Sequence, residues 1–451
     1  MAKSILALKK FIFYLIAALS SIFLSIYCLH QKRFFAYHLA TKADRLIESN
    51  FFYPQLKIIE SSKDVLVSYL FGYKNDIENS TLPKYYVTLT DDVIEYLKPF
   101  EKVEKYPEIP KDYQTAQLSY NDNQCNIKLK LHGGWYGHDT LVPLSPHHQE
   151  AKKSYSVKIT NGELHDVKEW SFIIPSDRFF ISSLFVNQVY NRLGLPYPKS
   201  HFGILYINDL YQGIYYIEED IDESKEYHSR NKLKNHITLK TTCDSCLMFI
   251  PGKNNFKPLD FTTTISDSIL LQKIQNQLDS LMANINDTTI DRYFDLNKTA
   301  KLLSTIYLRG DFGVHDITER NLRLTYDINN SKFFITPRVE SGIAELTCNY
   351  IDENKNCLFD KELCHFRYYP YYHKLLYHLL KNETIINKMN HYLDDLILDD
   401  NLITIYTQLQ DSLGALLSKD ITLNSHLKLT EEVLKVQGNS LENNIEKLRN
   451  R

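Results

Sequence analysis

Short segments in which apolar and polar residues alternate make up much of the first half of the chain. In residues 126–134, NIKLKLHGG, the isoleucine and the two leucines fall on one side and the lysines on the other, until Gly133 and Gly134 end the pattern. A period of two is typical of a β-strand with one buried face. Strands are predicted at 85–90, 116–120, 125–132, 154–159, 202–207 and 213–219, and the last two form a hairpin with its turn at 208–211.

After about residue 260, apolar residues recur with the 3.6-residue period of a helix. Helices are predicted at 268–283, 294–307, 371–380, 384–398 and 402–417, with two short strands at 321–326 and 332–336. One earlier helix, at 179–193, is closed by Gly194 with Pro196 just beyond, which is a helix-stop signal. Strands followed by helices are typical of the α+β fold class.

An uncharged apolar run, FIFYLIAALSSIFLSIYCL, occupies residues 11–29. As a helix, its 19 residues would span about 28 Å, close to the roughly 30 Å of a bilayer core. We interpret the run as a transmembrane anchor, which predicts a single-pass membrane protein whose main domain lies outside the cytoplasm. A cleaved signal peptide and a buried helix are the alternatives, although the bulky residues that close the run suit cleavage poorly.

Composition adds limits to this picture. The 451-residue chain is 43% hydrophobic and 24% charged, an ordinary globular balance. Its formal net charge of −3 argues against a strongly basic nucleic-acid binder, so we expect no nucleic-acid partner.

We predict a membrane anchor with basic flanks at 1–33, a juxtamembrane extension at 34–115 and one large domain at 116–450. That domain is expected to be strand-rich at about 116–260 and helical at about 261–450.

Seven cysteines are present, and six of them follow the apolar run. An even number fits an oxidising compartment, in which disulfides persist. Three interpretations stay open for these residues: a disulfide framework, free thiols, or a zinc site formed by Cys243, Cys246, Cys357 and Cys364. We expect at least one disulfide among this set and Cys348.

Phosphoryl transfer needs a cation for the nucleotide phosphates, oxygen ligands for Mg²⁺ and a carboxylate at the attacking hydroxyl. A first group of suitable residues is Gly133 and Gly134 after a predicted strand, followed by lysines at 152, 153 and 158. Glycines let backbone amides approach phosphate oxygens. An ordinary turn and a solvated lysine face would give the same pattern.

Two further groups lie later in the chain. The strand at 213–219 runs into the acidic residues of Glu218–Asp222, which an ordinary strand with a charged exit would also explain. Asp316 and Asn321 are five residues apart, the spacing of the kinase catalytic loop. Glu340 follows two short predicted strands, where kinases place a metal-binding acid. Asp and Asn are common in this chain, so chance pairs are expected.

The order of these motifs resembles the CotH kinase family, atypical protein kinases first associated with spore coats. The resemblance runs from about residue 126 to residue 398 and is carried by NIKLKLHGG, KKSYSVKI, LFVNQVYNRLGLPYP, FGILYINDLYQGIYYIEEDID and NLRLTYDINNSKFFITP in that order. It implies an α+β, protein-kinase-like two-lobed domain, here preceded by one transmembrane helix. It also implies that ATP, with Mg²⁺ or Mn²⁺, phosphorylates a protein or envelope-glycan hydroxyl.

The resemblance also implies ligands for ATP. Lys152 and Lys153 match the lysine pair that reaches the nucleotide. Lys158 is a competing choice because it lies in the strand reading Val-Lys-Ile. Glu219 matches the acid after the hairpin.

The remaining roles fall later in the chain. Asn321 matches the metal-contacting asparagine, and Glu340 occupies the place of the metal-binding acid. Asp316 is the preferred catalytic acid, and Asp311 is the alternative.

Two departures from the family pattern weigh against full activity. The family has an arginine where this chain has His132, and an aspartate where it has Glu340. The extra methylene of glutamate displaces its charge, and placement matters at such sites. A pseudokinase scaffold of the cell envelope, or of spore or exopolysaccharide assembly, is therefore the alternative function. An unrelated hydrolase is disfavoured because neither G-x-S-x-G nor H-E-x-x-H occurs.

Overall fold

The computed structural model describes residues 72–97, 112–132, 152–221, 225–233, 235–241, 256–258, 268–284, 289–310, 323–339, 342–343, 379, 382–398, 401–420, 422–423 and 427–450. All of them fall within one compact unit, Asp64–Arg451.

Seven strands of this part of the chain close into a barrel. They are β1 (Lys84–Thr88), β2 (Gln114–Tyr120), β3 (Asn123–Leu131), β4 (Tyr155–Ile159), β5 (Glu169–Ile173), β6 (Ser200–Ile207) and β7 (Leu210–Glu219). Their order around the barrel is β1-β2-β3-β4-β5-β7-β6. Neighbouring strands are antiparallel except β1 and β6, which pair in parallel and close the barrel.

Alternate side chains of these strands fill the barrel interior. On β3, Ile127, Leu129 and Leu131 are buried there, as the alternating pattern predicts. Val157 on β4 and Phe172 on β5 belong to the same apolar core. Burial of apolar surface contributes about 25 cal/mol per Å², so this packed interior is a main source of barrel stability.

The hairpin of β6 and β7 is buried on both faces. Tyr215 and Ile217 belong to the core inside the barrel, whereas Ile214 belongs to the larger core formed with the helices. Asn208 and Asp209 form the turn with φ of 48° and 62°. Two consecutive residues at positive φ are typical of the tight turns that join antiparallel strands, and Asn and Asp tolerate this conformation.

A second sheet contains β8 (His236–Thr241), β9 (Phe256–Pro258), β10 (Arg323–Asp327) and β11 (Lys332–Ile335). All its pairings are antiparallel, in the order β11-β10-β8-β9. The hydroxyl oxygen of Thr325 lies 2.7 Å from that of Thr238 and 2.6 Å from that of Thr336, and all three residues are buried. These mutual hydrogen bonds satisfy polar groups that would otherwise be costly inside the protein.

The described helices are α1 (Tyr73–Glu78), α2 (Asp91–Leu97), α3 (Ser182–Leu193), α4 (Lys225–Arg230), α5 (Ser268–Asn284), α6 (Ile290–Tyr293), α7 (Leu296–Arg309), α8 (Glu383–Ile397), α9 (Asn401–Leu409), α10 (Ala415–Leu417) and α11 (Leu427–Arg449). A 3₁₀ turn, Pro175–Arg178, precedes α3, and a π-helical turn, Gln410–Gly414, joins α9 to α10. α3 ends at Gly194, which has φ 64° as the predicted stop signal requires.

Helix α7 is central because it contacts α3, α8, α11 and β11. The carboxylate of Asp295 caps its start by accepting hydrogen bonds from the backbone amides of Asn297 and Lys298, both at 3.0 Å. Such a cap satisfies amides that have no partner inside the helix. The helix ends before Gly310, which has φ 70°.

The predicted fold class requires correction. A protein-kinase-like, two-lobed domain preceded by a transmembrane helix is wrong, because the structure contains a closed seven-stranded barrel and a separate four-stranded sheet with helices. β1, which begins at Lys84, closes the barrel by pairing with β6. Periodicity identifies single strands and does not reveal such long-range pairing.

The predicted membrane localisation is also corrected. Among the residues that the structure describes, no helix has the length and apolar character needed to cross a bilayer. The longest of these helices, α11, has 23 residues but carries lysine and glutamate residues along its length. The proposed anchor at 11–29 lies outside the described residues.

Cys125 on β3 is a half-buried free thiol. The cysteines on which the predicted disulfide and zinc site depend, Cys243, Cys246, Cys348, Cys357 and Cys364, lie outside the described residues.

The cap of α7 can be tested by mutation. Asp295→Ala removes the acceptor for two backbone amides and is expected to lower the free energy of unfolding by about 1 kcal/mol. Asp295→Asn keeps an acceptor oxygen and should cost much less. Urea denaturation of both variants measures the difference, and equal midpoints would show that the cap contributes nothing.

Candidate functional site

The Lys-Lys-Ser segment that leads into β4 is buried. Lys152 and Lys153 each expose only 4% of their surface, which is rare for lysine. Because the segment is extended, the two side chains point to opposite sides and meet different parts of the fold. The solvated lysine face considered above therefore does not describe this pair.

Lys152 reaches across to β7 and to the segment after α10. Its ammonium donates to the carbonyl oxygen of Ile214 at 2.7 Å and to the hydroxyl of Thr422 at 2.9 Å. It lies 3.7 Å from a carboxylate oxygen of Asp420 and 4.4 Å from the ring centre of Tyr215. The positive charge is therefore balanced by an acid inside the protein.

Asp420 completes this arrangement. Its carboxylate accepts hydrogen bonds from the backbone amide of Ile214 at 2.6 Å and from the amide and hydroxyl of Thr422 at 3.0 and 2.8 Å. Gly213 has φ 87°, and a Cβ atom there would lie 1.8 Å from the Thr422 hydroxyl. The hairpin glycine is thus required by the close approach of Asp420 and Thr422. We call Lys152, Gly213, Ile214, Asp420 and Thr422 the Lys152 cluster.

Burial changes the acidity of this lysine. It lowers the pKa of Lys152 to about 8, and the neighbouring carboxylate of Asp420 opposes the shift. The lysine pays a desolvation cost that Asp420 only partly offsets. Its ammonium is consequently far more dependent on its acidic partner than a surface lysine would be.

The side chain of Lys153 contacts helix α2, on the other side of the segment. Its ammonium donates to the carbonyl oxygen of Leu97, the last residue of α2, at 2.8 Å. A cation at a helix C-terminus satisfies a carbonyl that has no partner within the helix. The hydroxyl of Tyr215 donates to the backbone carbonyl of Lys153 at 2.9 Å, which links the segment to β7.

The other two predicted nucleotide ligands form ion pairs elsewhere. Lys158 pairs with Glu169, its cross-strand neighbour on β5. The carboxylate of Glu219 is fully buried, pairs with Arg230 on α4 and accepts from the backbone amide of Lys199 at 3.1 Å. The structure therefore brings neither residue into the Lys152 cluster.

Sequence reasoning missed several buried polar residues. Besides Asp420 and Thr422, the guanidinium of Arg178 donates to one carboxylate oxygen of Glu218, with distances of 3.2 Å from Nε and 2.7 Å from Nη2. This pair ties the turn before α3 to β7. Glu218 belongs to the acidic group Glu218–Asp222 that the sequence singled out, and strand parity places its side chain on the side opposite to that of Glu219.

His132, which the resemblance matches to a family arginine, also forms polar contacts. Its Nδ1 atom lies 3.0 Å from the hydroxyl of Ser156 and 3.2 Å from that of Ser171. The adjacent Gly133 and Gly134 lie outside the described residues.

The predicted catalytic residues Asp311 and Asp316 and the predicted metal ligands Asn321 and Glu340 all lie outside the described residues. The structure does describe residues that flank them. Arg309 at the end of α7 donates to the carbonyl oxygen of Gly342 at 3.5 Å. At the other flank, the amide of Thr336 donates to the carbonyl oxygen of Arg323 at 2.9 Å.

Comparison with known protein families gives a match over most of the chain. Residues 129–450 match the family model described as CotH kinase protein. This confirms the resemblance predicted from the order of the motifs. No curated protein matches the chain.

The close approach at Gly213 generates a mutational prediction. Gly162→Ala is the matched control, because Gly162 has a similar φ of 91° and, among the residues described, a Cβ there would contact only Cys125, at 3.6 Å. The control should cost about 1–2 kcal/mol for backbone strain. Gly213→Ala should cost about 1–3 kcal/mol more, because the new Cβ atom collides with Thr422.

Denaturant unfolding measures both variants, and Gly213→Ala should be partly rescued by Thr422→Ala. Equal losses at the two glycines would contradict the close approach.

The buried charge of Asp420 generates a second prediction. Lys152→Ala leaves that carboxylate without its cation and should lower the free energy of unfolding by about 3–5 kcal/mol. Lys158→Ala removes a lysine that is 43% exposed and should cost about 1 kcal/mol or less. Thermal unfolding of both proteins tests this, and similar melting temperatures would show that the Lys152 pair is not important for stability.

Proposed function

The chain belongs to the CotH kinase protein family, and we propose that it transfers the γ-phosphate of ATP to a hydroxyl group of a protein or a glycan. The observation that carries this proposal is the family match itself. It covers residues 129–450 and thus includes the lysine segment, the hairpin and every predicted catalytic and metal-binding residue.

Residues on either side of the predicted catalytic segments are joined by hydrogen bonds, and these bonds support the proposal. Asp316 and Asn321 lie between Arg309 and Arg323 in the chain, and Glu340 lies between Thr336 and Gly342. The hydrogen bonds from Arg309 to Gly342 and from Thr336 to Arg323 hold the ends of these two segments near each other. A shared metal site needs this kind of proximity.

ATP would supply the phosphoryl group, and Mg²⁺ or Mn²⁺ would neutralise charge on its phosphates. Asn321 and Glu340 are the proposed metal ligands. Asp316, with Asp311 as the alternative, would orient the acceptor hydroxyl and receive its proton.

Lys152 and Lys153 have different roles in this proposal. Lys152 maintains the hairpin through its bonds to Asp420, Thr422 and Ile214. Lys153 is the proposed phosphate ligand, because it belongs to the lysine pair that the family resemblance matches to ATP; its ammonium donates to the carbonyl oxygen of Leu97. Lys158 and Glu219 would support the fold through their ion pairs.

A non-catalytic pseudokinase scaffold is the second candidate function. Two features favour it: the resemblance matches Glu340 to an aspartate and His132 to an arginine of the family, and Nδ1 of His132 contacts the hydroxyls of two serines. A scaffold would keep the fold and bind its partners without turnover.

Separate variants can distinguish nucleotide binding from transfer. Asn321→Ala and Glu340→Ala should weaken binding of Mg·ATP, since each removes a metal ligand. Asp316→Ala should leave binding nearly unchanged and reduce transfer by at least about 10²-fold, because its contact matters mainly in the transition state. Glu340→Asp should maintain or raise transfer. Calorimetry measures binding, and γ-labelled ATP with a Ser/Thr-rich acceptor protein measures transfer.

Asp395→Ala is the control for these measurements, since Asp395 is 59% exposed and pairs only with the neighbouring turn of its own helix at His391. Binding of Mg·ATP without transfer, even in Glu340→Asp, would favour the scaffold. Absence of nucleotide binding in the folded wild-type chain would end the kinase proposal.

A further inference from the structure

A group of aromatic and imidazole side chains lies at the end of the barrel opposite the Lys152 cluster. His165 lies in the turn that follows β4, whereas Lys152 precedes β4. Two ring nitrogens converge on one phenol oxygen: Nε2 of His201 lies 2.7 Å and Nε2 of His165 lies 3.0 Å from the hydroxyl of Tyr85.

The chain holds all three side chains in place. Tyr85 on β1 is fully buried, and its ring lies against Gly203 of the neighbouring strand, where a Cβ atom would be 2.5 Å from the ring. His201 lies on β6, beside this glycine. Tyr85 is therefore fixed by the barrel wall, and its hydroxyl is directed to the two histidines.

His165 lies in a tight turn that Lys199 holds in place. His165 and Asp166 have φ of 51° and 60°, the conformation that a two-residue turn between antiparallel strands requires and that His and Asp adopt more readily than most residues. Lys199 fastens the turn by donating to the carbonyl oxygen of His165 at 2.8 Å and by lying 3.7 Å from the Asp166 carboxylate. The turn is therefore fixed relative to the start of β6.

The two imidazole nitrogens and the phenol oxygen are atoms that can bind a metal ion, and each nitrogen lies close to the oxygen. Imidazole nitrogen is the commonest metal ligand in proteins, and it binds the metal in its neutral form. A tetrahedral site with metal–nitrogen bonds of about 2.0–2.1 Å separates its ligands by about 3.3 Å. The observed separations of 2.7 and 3.0 Å require shifts of only a few tenths of an ångström.

We propose that Tyr85, His165 and His201 form a binding site for a divalent transition-metal ion of the Zn²⁺ or Cu²⁺ type, with the remaining position open on the exposed side of His165. Imidazole nitrogen suits these ions better than it suits Mg²⁺. On binding, a metal–oxygen bond would replace the O–H bond of Tyr85, with release of the proton; because burial raises the pKa of this phenol, the charge of the metal ion has to offset that shift. Among the described residues no three His, Cys, Asp or Glu side chains form a metal cluster, and the third ligand proposed here is the phenol oxygen of Tyr85.

Trp170 and Tyr120 form the wall of this site. The ring centre of Trp170 lies 6.0 Å from that of His165 and 5.6 Å from that of His201, and Tyr120 stacks on Tyr85 at 5.0 Å. An aromatic wall limits water access and restricts the orientation of the ligands. The site is independent of the proposed nucleotide site, so its test needs neither ATP nor an acceptor.

The test is calorimetric titration of the full chain with ZnCl₂ alone. His165→Asn is the sharpest variant, because asparagine favours the turn conformation and cannot replace the imidazole ligand. It should keep or raise the metal-free melting temperature and bind one Zn²⁺ fewer than the wild type. His201→Gln retains a hydrogen-bonding partner for Tyr85 and should likewise lose this ion. Tyr85→Phe should weaken its binding at least tenfold.

His391→Ala is the matched control, because His391 is an exposed histidine on α8, and it should bind Zn²⁺ as the wild type does. Excess Zn²⁺ should raise the melting temperature of the wild type but not that of His165→Asn. Equal stoichiometry and affinity in the wild type and His165→Asn would overturn the proposal. Tyr85, His165 and His201 would then be a hydrogen-bonded group that stabilises this end of the barrel. Unchanged binding in Tyr85→Phe would overturn the three-ligand site.

Discussion

The buried pair of Lys152 and Asp420 is the constraint on which much of the structure depends. Taking either charge out of water costs several kcal/mol, so each residue requires the other, together with hydrogen bonds that satisfy its remaining atoms. Thr422 and Ile214 supply those bonds. Because Asp420 must approach the backbone of β7 closely, the residue before Ile214 has to be glycine. The need to pair these two buried charges therefore fixes the positions of three segments: the residues before β4, the β6–β7 hairpin and the segment after α10.

Local patterns predicted those parts of the fold that local chemistry determines. β3 alternates because one face fills the barrel, α3 ends where Gly194 adopts φ 64°, and Asn208 forms the hairpin turn. β5 was not predicted, although Glu169, Trp170, Ser171 and Phe172 alternate polar and apolar residues; unlike a strand with one solvated face, all five of its residues are buried. The barrel itself could not be predicted, since its closure depends on parallel pairing of β1 with β6, whose paired residues are far apart in the sequence.

The candidate site was likewise predicted only in those features that local sequence determines. The sequence singled out Lys152 and Lys153, and the structure shows that their importance lies first in burial, which no pattern of lysines reveals. The partner of Lys152 at Thr422 is 270 positions away, and neither Asp420 nor Thr422 belongs to a recognisable motif. Lys158 is the contrasting case: it lies on an alternating strand, and its cross-strand acid follows from sheet geometry.

The barrel separates the two regions of interest. Lys153 and α2 lie at the end where β4 begins, and the turn with His165 lies at the end where β4 finishes. Between them the interior is filled by buried side chains such as Val157, Phe172 and Tyr215. A packed interior transmits small displacements but offers no route for a ligand. Any influence of the histidine–tyrosine end on nucleotide binding would therefore pass through side-chain packing, and the two ends can carry separate chemistries.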